Sequence, residues 1–267
     1  MNWKIGVTQW SLPCTVPDCI EAAAALGLQA IQLDLGAAEE GYPMTGEVLQ
    51  ARLLSDARKY GVEIVSIVLN DLCKNGFVHA EGDPRRETAW ETMRLGVETA
   101  VRMGVRSVCL PSFFDNEIRD AVGYARTVEA MQYICALGAA QGVTIYTENV
   151  MDAAHLAAFF RDVGCEDLHL LFDSQNYPFM AGLDAAEIFT AAAARVGDFL
   201  HVKDGRDSLG SAPLGTGTSG FTNTLRAITA AGFCGYYILE NKYETMACAS
   251  EEIAVLRDML QKAAAQA

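Results

Sequence analysis

A repeating unit of about 30 residues constrains this chain more than any single motif does, because self-similarity at such a period marks a fold built from similar supersecondary units. Eight short apolar runs typical of β-strands recur along the 267 residues. Seven of them follow a glycine that ends a helix-like segment, where glycine is favoured because it adopts the left-handed conformation that ends helices. The runs cover residues 5–10, 30–35, 62–69, 107–112, 143–149, 168–174, 199–204 and 235–241, and the glycines are Gly27, Gly61, Gly104, Gly142, Gly164, Gly197 and Gly232.

The segments between these runs are rich in alanine and carry apolar residues at helical spacing. They cover residues 17–26, 45–60, 85–103, 124–141, 153–163, 184–196, 222–231 and 250–264. Strands that alternate with helices pair in parallel through right-handed crossovers, and eight such units close into a barrel of roughly 250 residues. We therefore predict an α/β fold, one (β/α)8 TIM-barrel domain over residues 1–267, with an open doubly wound sheet as the alternative.

The composition limits what the chain can bind. A net charge of −14 without a cluster of Lys and Arg argues against the basic surface that nucleic-acid binding needs. The N-terminal residues lack the basic start and apolar core of a signal peptide, and no run of 18 apolar residues occurs. The eight cysteines form no CxxC pair, which favours reduced thiols. We expect a cytoplasmic protein with neither a nucleic-acid nor a membrane partner.

Four side chains able to bind metal stand at the ends of four consecutive predicted strands. They are Glu148, Asp173, His201 and Glu240. In a (β/α)8 barrel the carboxyl ends of the strands surround one mouth, so these groups are expected to converge. Three converging carboxylates repel one another unless a cation neutralises them. Three oxygen ligands and one imidazole suit Mn²⁺ or Mg²⁺, with Co²⁺ or Zn²⁺ as alternatives, and we predict one divalent metal ion there.

Short motifs at these strand ends resemble a known family. The succession TEN (147–149), FDSQN (172–176), HVKD (201–204), PLGTG (213–217) and ILEN (238–241) is similar to that of the xylose isomerase-like barrels. The resemblance extends over essentially the whole chain and points to the sugar phosphate isomerase/epimerase branch. That branch includes ketose 3-epimerases, hydroxypyruvate isomerase and inosose dehydratase, so the resemblance alone fixes no substrate.

The resemblance implies catalytic roles for two of the four metal-site residues. In epimerases of the family, the glutamates that match Glu148 and Glu240 lie on opposite sides of the bound sugar. One would remove a proton beside the carbonyl and the other would return a proton to the opposite face, through an enediolate stabilised by the metal. The implied activity is isomerisation or epimerisation of a ketose, a keto-acid or a sugar phosphate. A metal-dependent lyase that acts by elimination on a keto-inositol or a 3-oxo-glycoside is the alternative.

Further residues are predicted to contact a small polyhydroxylated substrate. Lys203 lies two positions after His201 and shares its strand face; a structural ion pair with Asp204 is the alternative. Arg206 follows in the next loop, and Asn176 stands where several relatives place a substrate-binding histidine. The list is completed by Gln9 and Asn70, which end or follow early strands.

Two features of the sequence leave the interpretation open. Gln32, on the second predicted strand, stands where relatives often have glutamate. The glycine-rich loop 213–221 precedes a predicted helix, so its amides offer an alternative anion site, although relatives use this loop as a structural turn. Phosphodiester cleavage and a non-catalytic barrel are the remaining functional alternatives. A homo-oligomer is expected by analogy with barrels of this kind.

Overall fold

Eight parallel strands form the inner layer of the computed structural model, which describes residues 3–266. In chain order they are β1 (Ile5–Thr8), β2 (Ala30–Asp34), β3 (Glu63–Val68), β4 (Ser107–Pro111), β5 (Thr144–Glu148), β6 (Leu168–Leu170), β7 (Phe199–Val202) and β8 (Tyr236–Leu239). Consecutive strands pair from β1 to β6, and β8 pairs with both β1 and β7. Most strand residues are buried, as expected where helices cover a parallel sheet.

The sheet closes between β6 and β7. Asp173, three residues beyond β6, forms a parallel bridge with His201 of β7. The amide of His201 donates to the carbonyl of Phe172 at 2.8 Å, and the amide of Ser174 donates to the carbonyl of His201 at 3.2 Å. These bonds complete the (β/α)8 barrel that the repeat predicts, and the open-sheet alternative is wrong.

Eight α-helices within residues 3–266 form the outer layer. They are α1 (Cys19–Ala25), α2 (Glu47–Tyr60), α3 (Pro84–Met103), α4 (Ala121–Gln141), α5 (Ala153–Val163), α6 (Ala185–Ala192), α7 (Phe221–Ala230) and α8 (Met246–Ala264). Aspartates begin four of them, because the side chains of Asp83, Asp120, Asp152 and Asp184 accept hydrogen bonds from free amides of the first turn. Within residues 3–266, no helix combines the length and the apolar composition needed to cross a bilayer.

Six of the seven glycines adopt the predicted left-handed conformation, with φ between 67° and 73°. The prediction is wrong at Gly197, whose φ is not in that region. Its small size serves packing instead, because a Cβ atom there would collide with the ring of Tyr146.

Strands end earlier than the apolar runs predict. The residues that follow β1 and β3 form short 3₁₀ helices, Gln9–Ser11 and Asn70–Cys73. These turns leave the polar side chains after each strand at one end of the barrel, which is where the carboxyl ends of all eight strands meet.

Candidate metal centre

The structure brings the four predicted ligands together at the mouth of the barrel. Glu148 ends β5, Asp173 follows β6, His201 lies in β7 and Glu240 follows β8. One ligand atom from each of them lies within 4.8 Å of the others. The group stands beside the seam where the barrel closes, because Asp173 and His201 are the residues that bridge it.

Two buried ligand atoms in this group make no hydrogen bond of good geometry within residues 3–266, although charged groups lie near both. They are Nδ1 of His201 and Oδ2 of Asp173. The other oxygen of Asp173, Oδ1, accepts from the backbone amides of Gln175 at 2.7 Å and Asn176 at 2.6 Å. Because buried polar atoms normally make well-formed hydrogen bonds, these two atoms fit a site that takes a cation.

Lys203 supplies one positive charge to the group. Its Nζ lies 2.6 Å from Oε2 of Glu240 and 3.1 Å from Oδ2 of Asp173. Strand alternation explains this position, because Lys203 faces the same side of the chain as His201. Three carboxylates and one ammonium leave two uncompensated negative charges, which is the charge of one divalent cation. The residues present therefore fit such an ion.

Burial and close charges shift the pKa values of these groups. Burial alone would lower the pKa of His201, but the carboxylates of Glu240 and Glu148 raise it to about 10. Burial raises the pKa of Asp173 to about 6. Burial would raise the pKa of Glu240, but the positive charges of His201 and Lys203 lower it. Burial would lower the pKa of Lys203, but the surrounding carboxylates raise it. Without metal, a proton on His201 balances part of the negative charge.

Each glutamate of the group is held by a second side chain. Nδ2 of Asn176 donates to Oε1 of Glu148 at 2.9 Å, and Nε1 of Trp10 donates to Oε1 of Glu240 at 3.2 Å. Trp10 follows β1, a position that predicts either a mouth residue or core packing, and its hydrogen bond to Glu240 places it at the mouth. Glu240 also contacts the ammonium of Lys203, whereas Glu148 contacts the neutral amide of Asn176.

Gln9 and Asn70 contact a different acidic residue, Asp34 at the end of β2. Oε1 of Gln9 accepts from the amide of Asp34, and the amide of Asn70 donates to Oδ1 of Asp34, both at 3.3 Å. Burial raises the pKa of Asp34 to about 6. The sequence reasoning missed Asp34, and the roles of Gln9 and Asn70 as substrate contacts stay predictions.

The glycine-rich loop binds an anion that belongs to the chain itself. The carboxylate of Asp204 accepts from the amides of Gly215 at 3.0 Å and Gly217 at 2.9 Å, and from the hydroxyl of Ser219 at 2.7 Å. Asp204 therefore occupies the amides of Gly215 and Gly217, while an anion site at the amides that begin α7 stays a prediction. Asp204 is committed to the loop, and Lys203 pairs with the metal-site carboxylates instead of with Asp204.

Arg206 lies in the loop after β7 with an exposed side chain. Its Nε and Nη2 donate to the carbonyl of Thr216 at 3.0 Å and 2.7 Å. This tether holds the guanidinium against the glycine-rich loop, and a substrate contact by Arg206 stays a prediction.

Comparison with known proteins gives a matching family and a relative. The family model described as "Xylose isomerase-like TIM barrel" matches residues 20–261. A 2-epi-5-epi-valiolone 7-phosphate 2-epimerase from Actinoplanes sp. is 31% identical over 245 residues, which is 91% of this chain and 88% of that protein.

Solved structures share the fold at lower identity. An L-ribulose 3-epimerase superposes with a TM-score of 0.80 at 17% identity, over 99% of this chain and 97% of that one. A xylose isomerase-like TIM barrel protein from Mycobacterium smegmatis, solved in complex with magnesium, has a TM-score of 0.71 at 14% identity over 98% of each chain. At these identities the likeness shows the fold.

Proposed function

The chain belongs to the xylose isomerase-like TIM barrel family, and on that basis we propose that it is a metal-dependent epimerase of a sugar phosphate or ketose. The observation that carries the proposal is the pair Glu148 and Glu240, which converge from β5 and β8 on one buried group of ligands. The relative from Actinoplanes is by name an epimerase of a 7-phosphate, which supports a phosphorylated substrate. The structural neighbour named as an L-ribulose 3-epimerase supports a ketose.

Glu148, Asp173, His201 and Glu240 would hold the divalent metal. When bound, such an ion supplies positive charge where negative charge develops on the substrate oxygen during proton removal. Mn²⁺ and Mg²⁺ are the ions we propose, because three oxygen donors and one imidazole suit them. The magnesium complex of the Mycobacterium smegmatis protein is consistent with this choice.

Proton transfer is assigned to the two glutamates. One glutamate, ionised, removes the proton from the carbon beside the carbonyl and keeps it. The other, protonated, gives its own proton to the opposite face, which inverts that carbon and leaves this second glutamate ionised. Asn176 holds Glu148 through its amide, while Lys203 and His201 keep Glu240 ionised by lowering its pKa. Because the two glutamates have unequal electrostatic surroundings, we expect the substrate proton to exchange with solvent at different rates on the two faces.

Epimerisation is favoured over the elimination alternative by the relatives that carry a named activity. The Actinoplanes relative and the L-ribulose enzyme are both epimerases by name, and neither supports a lyase. The mass of the product distinguishes the two reactions, because an epimerase gives a product of unchanged mass and a lyase loses a leaving group.

The test compares Glu148→Gln and Glu240→Gln with the wild-type protein at saturating metal, in D₂O, on ketoses and their phosphates. Each substitution removes one of the two proton carriers, so each is expected to reduce epimerisation by roughly 10²- to 10⁴-fold. The glutamate that remains can still exchange the proton on its own face. Each variant is therefore expected to incorporate deuterium into one epimer without inverting it, and the two variants should act on opposite epimers.

Glu63→Gln serves as the matched control, because Glu63 begins β3 at the opposite end of the barrel. It should leave turnover unchanged. Full epimerase activity in both metal-site variants would contradict the roles assigned to Glu148 and Glu240.

Several sequence-based expectations stay predictions beside this proposal. They are substrate contacts by Lys203, Arg206, Asn176, Gln9 and Asn70. A single domain over residues 1–267, a cytoplasmic location and a homo-oligomer also stay predictions.

A further inference from the structure

Gln32 contacts the histidine of the metal centre from the opposite side of the barrel interior. It lies in β2, is fully buried, and its Oε1 lies 2.6 Å from Nε2 of His201 in β7. The two residues are 169 positions apart in the chain. This contact therefore depends on the closed barrel and not on local sequence.

The chemistry of the imidazole explains why an acceptor is needed at this point. Nδ1 of His201 faces the carboxylates, lying 3.0 Å from Oε2 of Glu240. A neutral histidine that offers Nδ1 to a metal carries its proton on Nε2, and that N–H must donate to an acceptor. Oε1 of Gln32 is the acceptor in reach. Metal-binding histidines generally use such a partner, which fixes the tautomer and the direction of the ring.

The hydrogen bonds of Gln32 do not have the pattern of an ordinary buried glutamine. Its Nε2 has no partner among the described residues, so the side chain satisfies His201 while leaving its own amide donors unpaired. Gln50 gives a comparison in the same chain: it is 5% exposed, and its Nε2 donates to the backbone carbonyl of Met44 at 2.8 Å. The hydrogen bond with His201 is therefore the interaction that explains a glutamine at this buried position.

The neutral amide also suits the charge of the centre. Three carboxylates, the ammonium of Lys203 and one divalent cation sum to zero formal charge, with His201 neutral. A carboxylate at position 32 would accept the same hydrogen bond but would add a buried negative charge, which is costly without a partner. We propose that Gln32 is a positioning residue that holds His201 in the form with a free Nδ1 and keeps the loaded centre neutral; this rests on the metal site of the proposed function.

Two variants separate the hydrogen bond from the charge. Gln32→Met keeps the length of the side chain and offers only a weak thioether acceptor. Gln32→Glu keeps a strong acceptor and adds charge. Gln50→Met is the matched control, because it removes a buried glutamine amide far from the metal ligands in α2. Affinities for Mg²⁺ and Mn²⁺ are measured by titration calorimetry, and the histidine N–H groups of the Mg²⁺-loaded protein are followed by ¹⁵N NMR with histidine labelling.

Gln32→Met is expected to weaken metal binding by roughly 10- to 100-fold, the effect usual for losing the partner of a ligating histidine. The Nε2–H resonance of His201 should move upfield in this variant as its hydrogen bond is lost. Gln32→Glu should restore that resonance, and the buried charge that it adds should lower the melting temperature of the Mg²⁺-loaded protein. Gln50→Met should lower the melting temperature without changing the metal affinity.

Two outcomes would overturn the role of Gln32 alone. One is wild-type affinity and an unmoved Nε2–H resonance in Gln32→Met, and the other is an equal loss of affinity in Gln50→Met. Neither depends on turnover, so wild-type protein that binds metal but does not epimerise would refute the proposed function and leave the role of Gln32 standing. Wild-type protein that binds neither Mg²⁺ nor Mn²⁺ would overturn both.

Discussion

Lowering the pH is expected to weaken metal binding by a defined factor. In the metal-free protein the carboxylates of Glu240 and Glu148, acting against burial, raise the pKa of His201 to about 10. His201 is therefore protonated at neutral pH, and a metal ion that binds Nδ1 must displace that proton. One displaced proton changes the affinity tenfold per pH unit, or about 1.4 kcal/mol. Between pH 8 and pH 6 the dissociation constant should rise roughly 100-fold.

Below this range the dependence should become steeper. Burial raises the pKa of Asp173 to about 6, so near and below that pH a second proton competes with the metal. The assay is titration calorimetry in buffers of different ionisation enthalpy, which counts the protons released for each metal ion bound. About one proton is expected near neutral pH, rising toward two in acid. His155→Asn is the control, because His155 is exposed and pairs only with Asp152. An affinity that is flat with pH, or binding without proton release, would contradict the displacement of a proton from His201.

The pKa of His201 is higher in the folded protein than in the unfolded chain, so its protonation stabilises the fold. This stabilisation is complete below about pH 6.5 and is lost as the pH rises through about 10. The melting temperature of the metal-free protein should fall over this range, and saturating metal should reduce the fall. Lys203→Met should destabilise the metal-free protein by roughly 3–5 kcal/mol in urea unfolding, because it leaves buried carboxylates without their ammonium, and an unchanged midpoint would contradict that role. Gly197→Ala should cost about 1–3 kcal/mol, because the added methyl group meets the ring of Tyr146, and a companion Tyr146→Leu substitution should recover part of this loss.

The positions of the four proposed metal ligands are predictable from the sequence because each depends only on local information. Glu148, Asp173, His201 and Glu240 each end or follow an apolar run, and parallel strands with helical crossovers must bring those ends to one mouth. Alternation along β7 adds Lys203 on the same physical ground. Asp173 lies beyond the last residue of β6, but its bridge to His201 of β7 keeps it at the mouth of the barrel.

Contacts that join distant strands or depend on a loop path were not predictable in this way. The bond between Gln32 and His201 requires the barrel to close with β2 and β7 facing each other, and the sequence carries no signal for that distance. The partner of Trp10 depends in the same way on the side-chain conformation of Glu240. A glycine-rich loop before a helix has free amides in sequence terms, and only the folded path shows that Asp204 takes them.

The most direct test of the account is proton NMR in D₂O of the metal-loaded protein with a panel of ketoses, inososes, 3-oxo-glycosides and ketose phosphates, each with and without chelator. We expect chelator-sensitive incorporation of deuterium at the carbon beside the carbonyl of a ketose or sugar phosphate, together with a product that changes only by that exchange. Loss of a leaving group, or the absence of exchange from every substrate while the metal is bound, would contradict it.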